Sequence, residues 1–286
     1  MPSPELQPIL STGSGNLLTW IHRLRFRRAF TGVRATQGPG DVSRFVQQSP
    51  GPVLLAGGDG SLREALTAAR PDQPVAFFPA GTASVARWDL GYGRTVSGWR
   101  HWRTRPMHLG WIEQGGQVCD GFVMMLSAGP DAAAVAGVSK NLKRWSGPLA
   151  YLTAMIRALL APMGAIRVIL PDGEERMTPQ VIVQKIAHYG GPFPVAPGRS
   201  SAGIGFAVLV WRGRGAWSVL LGFIALFLRL PFWRHWVERI DTDGPVRLEA
   251  VAGAVAVQID GDPAPPLPLT VVDGPPRTLA YPVGGA

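Results

Sequence analysis

Apolar residues recur through the first third of this chain in short blocks, each followed by a polar or glycine-rich turn and then by a stretch of helical spacing. Residues 6–10, 32–35, 53–56 and 75–78 read as strands, and helical spacing begins near Asn16, Gly40, Ser61 and Ser84. Strand and helix in alternation predict a parallel sheet, with ligand loops at the carboxyl ends of its strands. After about residue 109 the texture becomes short alternating segments separated by Gly, Pro and Asp, among them GFVMMLSAG, AIRVILPDG, GFAVLVW and AVAVQIDG. That pattern predicts an antiparallel sandwich. Helical stretches at 147–160 and 216–230 interrupt it. The predicted architecture is therefore α/β plus β-sandwich, with a Rossmann-like domain at 1–108 and a sandwich at 109–286 whose last strand is able to return to the first domain.

The longest apolar run, residues 216–228, ends at Arg229 and falls short of the roughly 18 residues that span a bilayer. Trp211, Arg212, Arg214 and Trp217 precede it, and Arg229, Trp233, Arg234 and Trp236 follow. This mixture fits a core helix with snorkelling arginines, and it also fits a helix lying at lipid headgroups.

Composition narrows the class. At 286 residues and 46% hydrophobic, the chain buries a large core, and its net charge of +9 points to an anionic partner such as nucleic acid, nucleotide or a membrane surface. Cys119 is the sole cysteine, so no internal disulfide is available. The first apolar segment is short and is followed by HRLRFRR, unlike a secretory signal, and a cytoplasmic location is expected.

Candidate chemistry concentrates in two turns and a late pair of carboxylates. In the first turn, VLLA meets Gly57, Gly58, Asp59, Gly60 and Ser61, where glycines allow strained torsions and close approach, and the amides of the following helix face an anion. Ser61 and Glu64 have the spacing of a capping box, placing the helix start at the turn. Neither a Walker loop nor a dinucleotide fingerprint fits this spacing. Asp59 beside phosphates suggests metal-assisted phosphoryl transfer. The second turn, PAGTAS, contributes Gly81 and Thr82. Far along the chain, QIDGD places Asp260 and Asp262 at the end of a strand; an Asp-Gly hairpin turn and a general base are both compatible with it.

In order and spacing, GGDGS, PAGTAS, LSAGPDA, SGPLAYLTAMIRAL, FPVAPG and QIDGD resemble the diacylglycerol kinase catalytic-domain family, the bacterial lipid kinases related to sphingosine and ceramide kinases. The resemblance implies an N-terminal domain like that of NAD kinases, a C-terminal β-sandwich, and a nucleotide site in the cleft between them. It implies ATP and Mg2+ as cofactors, with Gly57, Gly58, Asp59, Gly60, Ser61, Glu64, Gly81 and Thr82 at the phosphates and Asp59 at the metal. The loop Ser11, Thr12, Gly13, Ser14 and Gly15 matches an N-P-x-S-G segment and would line the nucleotide, as would Thr36. Asp262 matches the family's Glu and Asp260 its Asp, and either could deprotonate a lipid hydroxyl such as that of diacylglycerol. Ser84 stands where relatives carry Asn, and Ala202-Gly203 where they carry an Asp-Gly pair linked to a magnesium site.

The implied partners are a lipid substrate and an anionic membrane surface, with no nucleic acid, peripheral attachment at the inner membrane face, and a homodimer left open. A non-catalytic binding protein on the same fold, a sphingoid-type kinase and a soluble small-molecule kinase are the alternatives. His22, His101, His108, His188 and His235 are too scattered for a metal motif and read as structural. The cluster Trp99, Arg100, His101, Trp102, Arg103 and Arg105 reads as a solvated helix face or a membrane-facing edge.

Overall fold

The computed structural model describes residues 5–13, 17–81, 84–91, 99, 101–137, 154, 156–161, 163–213 and 215–283. The first layer contains strands β1 (Gln7–Leu10), β2 (Arg34–Ala35), β3 (Val53–Gly57), β4 (Val75–Pro79) and β5 (Trp102–Met107), with helices α1 (Leu17–Ala29), α2 (Asp41–Gln48), α3 (Asp59–Ala68) and α4 (Ala86–Leu90). Beyond it come β6 (Gly110–Gln114), β7 (Gln117–Phe122), β8 (Met125–Ala128), helix α5 (Pro130–Gly137), β9 (Ala165–Ile169), β10 (Glu175–Thr178) and β11 (Val181–Gln184). The chain continues through β12 (His188–Tyr189), β13 (Phe193–Pro194), β14 (Phe206–Trp211), the helix Ala216–Phe227 and β15 (Val237–Thr242). It ends with β16 (Val246–Ala252), β17 (Val257–Ile259), β18 (Asp262–Pro263), β19 (Leu269–Asp273) and β20 (Arg277–Pro282).

The first sheet has the order β2-β1-β3-β4-β20-β5, parallel throughout except for β5. Strands β3 and β4, VLLAG and VAFFP, are buried at every position, because a parallel sheet in this setting is covered on both faces. The C-terminal strand β20 sits between β4 and β5, so the chain's last segment is part of the first sheet. This fixes the two halves of the molecule to each other covalently at two points.

Two six-stranded antiparallel sheets, β10-β9-β16-β19-β6-β7 and β15-β14-β11-β8-β17-β18, enclose a core that includes Phe122, Leu126, Val168, Val183, Phe206 and Leu248. In β9 the alternation is clean: Ile166 and Val168 point inward while Ala165, Arg167 and Ile169 are partly exposed. Strands β8, β11 and β14 are instead buried at every position. Their second face is covered too, and Ile182, Leu209 and Trp211 belong to the same hydrophobic cluster as the first sheet's core and the inner face of the Ala216–Phe227 helix.

That helix answers the question left by its apolar run. Val219, Gly222, Phe223, Ala225 and Leu226 are buried, whereas Trp217, Leu221, Ile224 and Leu228 are exposed, so it is a core helix on one side only. Gly222 is required by packing, since a Cβ there would come within 2.4 Å of the Trp211 indole nitrogen. The cluster at 99–105 also differs from expectation. Residues 102–107 form an edge strand rather than a helix face, Trp99 is buried, and Arg100 lies outside the described residues. Within the helix expected at 147–160, residues 154 and 156–160 are helical and the others lie outside the described residues. No described helix is long and apolar enough to cross a membrane.

A buried cation braces the two sandwich sheets where they meet the first domain. Lys185, at the end of β11, has no exposed surface; its Nζ donates to Asp273 Oδ2 at 2.9 Å and to the Gly205 carbonyl at 3.2 Å. Burial pushes its ammonium down from the ordinary lysine range, and the Asp273 carboxylate opposes that shift. Removing one member of such a pair strands the other charge without water. Lys185→Ala is therefore expected to lower the unfolding free energy by about 3–5 kcal/mol in urea denaturation; a loss below ~1 kcal/mol would refute the brace.

Candidate active site

The two glycine turns emerge side by side from β3 and β4, and backbone contact holds them together. The amides of Ala80 and Gly81 both donate to the Gly57 carbonyl at 2.9 Å. A Cβ on Gly81 would lie 2.5 Å from the Gly58 Cα, and one on Gly57 would lie 2.8 Å from the Ser61 Cβ. Close approach, not torsional strain, is what demands glycine here: none of Gly57, Gly58, Gly60 and Gly81 has a positive φ. The left-handed position in the second turn is Ser84, with φ 45°, where the related family's Asn would be more easily accommodated.

Asp59 links the same turns through its side chain. One carboxylate oxygen accepts the Val85 amide at 2.9 Å and the other the Ala86 amide at 3.0 Å, so it caps the start of α4. Burial pushes the carboxyl up, against the hydrogen bonds from those amides. The expected capping box does not form. Helix α3 starts at Asp59 with Gly58 as its N-cap and no side-chain cap, which places Ser61 inside the helix. Ser61 Oγ instead donates to Ser11 Oγ at 2.8 Å, and Glu64 Oε1 accepts the Ser43 amide at 3.0 Å, in the first turn of α2.

The first loop is secured by a pair of threonines. Thr12 N donates to Thr36 Oγ1 at 2.9 Å and Thr12 Oγ1 to the Thr36 carbonyl at 2.5 Å, while Arg23 donates to the Thr12 carbonyl at 3.2 Å. Thr36 is buried, and Gly13 has no atom within 4 Å of its Cβ direction. Ser14, Gly15 and Thr82 lie outside the described residues.

Turn chemistry delivers the late carboxylates. Asp260 and Gly261 have φ 50° and 89°, the consecutive left-handed pair of a two-residue hairpin turn, and β17 and β18 pair as Ile259 with Asp262 and Gln258 with Pro263. The Asp-Gly hairpin turn therefore forms, and it gives its two carboxylates different surroundings. Asp260 is buried and its oxygens accept the amides of Val123, Met124 and Met125 at 2.7, 2.8 and 3.0 Å. Burial pushes its pKa up to about 6 against those three donors. Asp262 is half-exposed and lies over the first turn of α3: its Oδ2 would be 3.2 Å from a Cβ on Gly60. The hairpin therefore brings Asp262 to the glycine turn and withholds Asp260 from it.

Several further residues join the site, Asp131 among them from the segment LSAGPDA. Arg63, one helical turn beyond Gly60, donates to Asp262 at 3.0 Å and to Asp120 of β7 at 3.2 Å, locking the hairpin to α3. Its spacing from Gly60 was the available signal. Asp89 of α4 accepts the Ser201 amide at 3.2 Å and the Ser201 hydroxyl, beside Ala202 in the loop where relatives carry an Asp-Gly pair. Asp131, fully buried, accepts from Tyr189 Oη and from Gln258 Nε2, the latter at 3.0 Å, beneath the hairpin.

The backbone cradle fits a phosphate chain: two glycine turns in contact, and the first-turn amides of α3, which have no partners within their own helix. A resident magnesium fits less well. Both Asp59 oxygens accept amides, and among the described residues no group of three or more His, Cys, Asp or Glu side chains converges.

Two outcomes follow from this geometry. Gly81→Ala should cost about 1–3 kcal/mol by forcing the turns apart, read as a lowered midpoint in thermal denaturation; an unchanged midpoint would refute the contact. The Asp260 carboxyl is raised from 3.8 to about 6 in the fold, so its contribution is fully present below pH 3.8 and disappears as pH rises through 6. Between pH 4 and 7, wild type should lose about 2 kcal/mol more than Asp260→Asn in urea denaturation, and parallel curves would contradict the assignment.

Residues 11–107 match the family model of the diacylglycerol kinase catalytic domain. No curated protein matches the chain in sequence. Solved structures from Bacillus anthracis str. Sterne that bear the name diacylglycerol kinase share the fold. One aligns with a TM-score of 0.74 at 16% identity over 99% of this chain and 100% of its own. Another aligns at 0.64 and 14% identity, over 99% and 100%. Yeast NADH kinase, complexed with NADH, aligns at 0.54 and 9% identity over 98% and 85%. The resemblance to the diacylglycerol kinase catalytic-domain family therefore holds, through a sequence match over residues 11–107 and a fold shared over the whole chain.

Proposed function

We propose that this protein is an ATP-dependent lipid kinase that phosphorylates the hydroxyl of a lipid such as diacylglycerol. The observation that carries the reading is the seat of Asp262, half-exposed above Gly60 in the first turn of α3. ATP, when bound, would supply the γ-phosphoryl group, with ADP as the leaving group. The chain's own part is alignment and charge.

The glycine turns present backbone N–H groups to the phosphates, and their mutual contact keeps that surface rigid before any ligand arrives. Asp262 is the general base, taking the proton from the acceptor hydroxyl as it attacks. Asp260 is a positioning residue, since its oxygens are occupied by three amides and it fixes the hairpin that aims Asp262. Arg63 holds the Asp262 carboxylate and offsets its repulsion toward phosphate. No step is assigned to a metal, because the described residues do not build a site for one.

One observation favours a second reading, a nucleotide-binding protein without turnover on the same fold. Both oxygens of Asp59 are engaged by amides, and Ala202 stands where the family resemblance implies a carboxylate. The Asp262→Asn variant separates the two. It should fold with wild-type stability, retain ATP binding within about threefold, and lose at least ~100-fold in kcat for lipid phosphorylation. If wild type and variant bind ATP alike and neither phosphorylates a lipid, the second reading replaces the first.

A further inference from the structure

The helix Ala216–Phe227 carries an apolar stripe that the described residues leave exposed. Trp217, Leu221, Ile224 and the capping Leu228 follow the i, i+4, i+7, i+11 spacing of one helical face and are 75%, 38%, 41% and 65% exposed. The opposite face is fastened to the sandwich: Phe223 packs on Trp211 at 4.6 Å and the Trp211 indole donates to the Val219 carbonyl at 3.1 Å. The stripe is therefore rigidly presented.

Charge identifies its occupant. From Arg212 to Val237 the sequence contains no Asp or Glu; Arg212 pairs with Glu238 at 3.6 Å, while Arg229 and Arg234 are exposed beyond the helix's C-terminal end, with Trp233 and Trp236 half-buried beside them. Exposed apolar residues followed by Arg229, Trp233, Arg234 and Trp236 match the layering of an anionic bilayer surface, apolar below and negative at the headgroups. We infer that this face inserts into the headgroup region of an anionic membrane and lies in its plane.

Apolar surface then leads toward the glycine turns. Phe227, at the end of the helix, packs on Tyr189 and Phe193 at 5.4 and 5.5 Å, and Phe193 is 43% exposed. His188, next to Tyr189, stacks at 5.9 Å on Trp88, an exposed residue of the helix whose first amide Asp59 accepts. An acyl chain rising from a bilayer beneath the stripe would follow these side chains toward α4. That direction of approach rests on the lipid-kinase reading; the membrane contact itself does not.

Vesicle flotation tests it. Wild type should bind phosphatidylglycerol vesicles and bind phosphatidylcholine vesicles weakly, and the double variant Trp217→Glu/Leu228→Glu should bind phosphatidylglycerol at least about tenfold less, with an unchanged melting midpoint. Met177→Glu, on exposed β10 of the other sheet, serves as the control and should bind as wild type does. Equal flotation of wild type and the double variant would overturn the proposal. So would a wild type that ignores vesicles and sediments as a dimer that the double variant dissolves, which would make the stripe an interface between two copies. A wild type that binds vesicles through this helix but phosphorylates no lipid supports the surface and removes the kinase reading instead. Retained phosphorylation of a water-soluble short-chain diacylglycerol by the double variant would show that only delivery was lost.

Discussion

Everything at the candidate site depends on the contact between two glycine turns. Gly81 touches Gly58 so closely that no side chain fits between them, the Gly57 carbonyl receives two amides from the second turn, and Asp59 receives two more. A surface of backbone donors is useful to an anion only when it is already in place, because ordering it on binding would consume affinity. Here the ordering is done by the fold. The parallel register of β3 and β4, with Gly57 opposite Pro79, sets the turns at the same height.

Onto that platform the sandwich lowers a single hairpin. The Asp260-Gly261 turn, with both φ positive, has a backbone shape that closes a two-residue hairpin between twisted strands, and it gives two nearby carboxylates different surroundings. Asp260 faces inward and spends its oxygens on Val123, Met124 and Met125; Asp262 faces outward, over Gly60. Arg63 then ties the outer carboxylate to α3. Because β20 returns to the first sheet, the platform and the hairpin are held by the chain at both ends of the sandwich.

The strand and helix rhythm, the glycine turns and the DGD hairpin were legible in the sequence because each rests on a local rule of periodicity or backbone shape. What the sequence did not reveal depends on distant partners. Ser61 and Glu64 have capping-box spacing, but Ser11 and the α2 amides compete for them, and those partners arrive from other elements. The glycines are legible as special, yet the reason for them, proximity of turn to turn, exists only once β3 and β4 pair. Asp59 is legible as an unusual carboxylate in a glycine turn, but the amides of Val85 and Ala86 that it accepts lie in another loop. The 216–228 run left core and surface readings open, since hydrophobicity alone does not say which faces a protein covers; the structure assigns one face to each.

The account stands on Asp262 activating a lipid hydroxyl above a preformed phosphate cradle. The most direct measurement is transfer of label from γ-labelled ATP to lipid by the wild-type protein, with diacylglycerol and sphingoid acceptors presented in phosphatidylglycerol vesicles. Label in the lipid phase with at least one acceptor is the predicted result. A protein that is stabilised by ATP under the same conditions yet labels none of these lipids would contradict it.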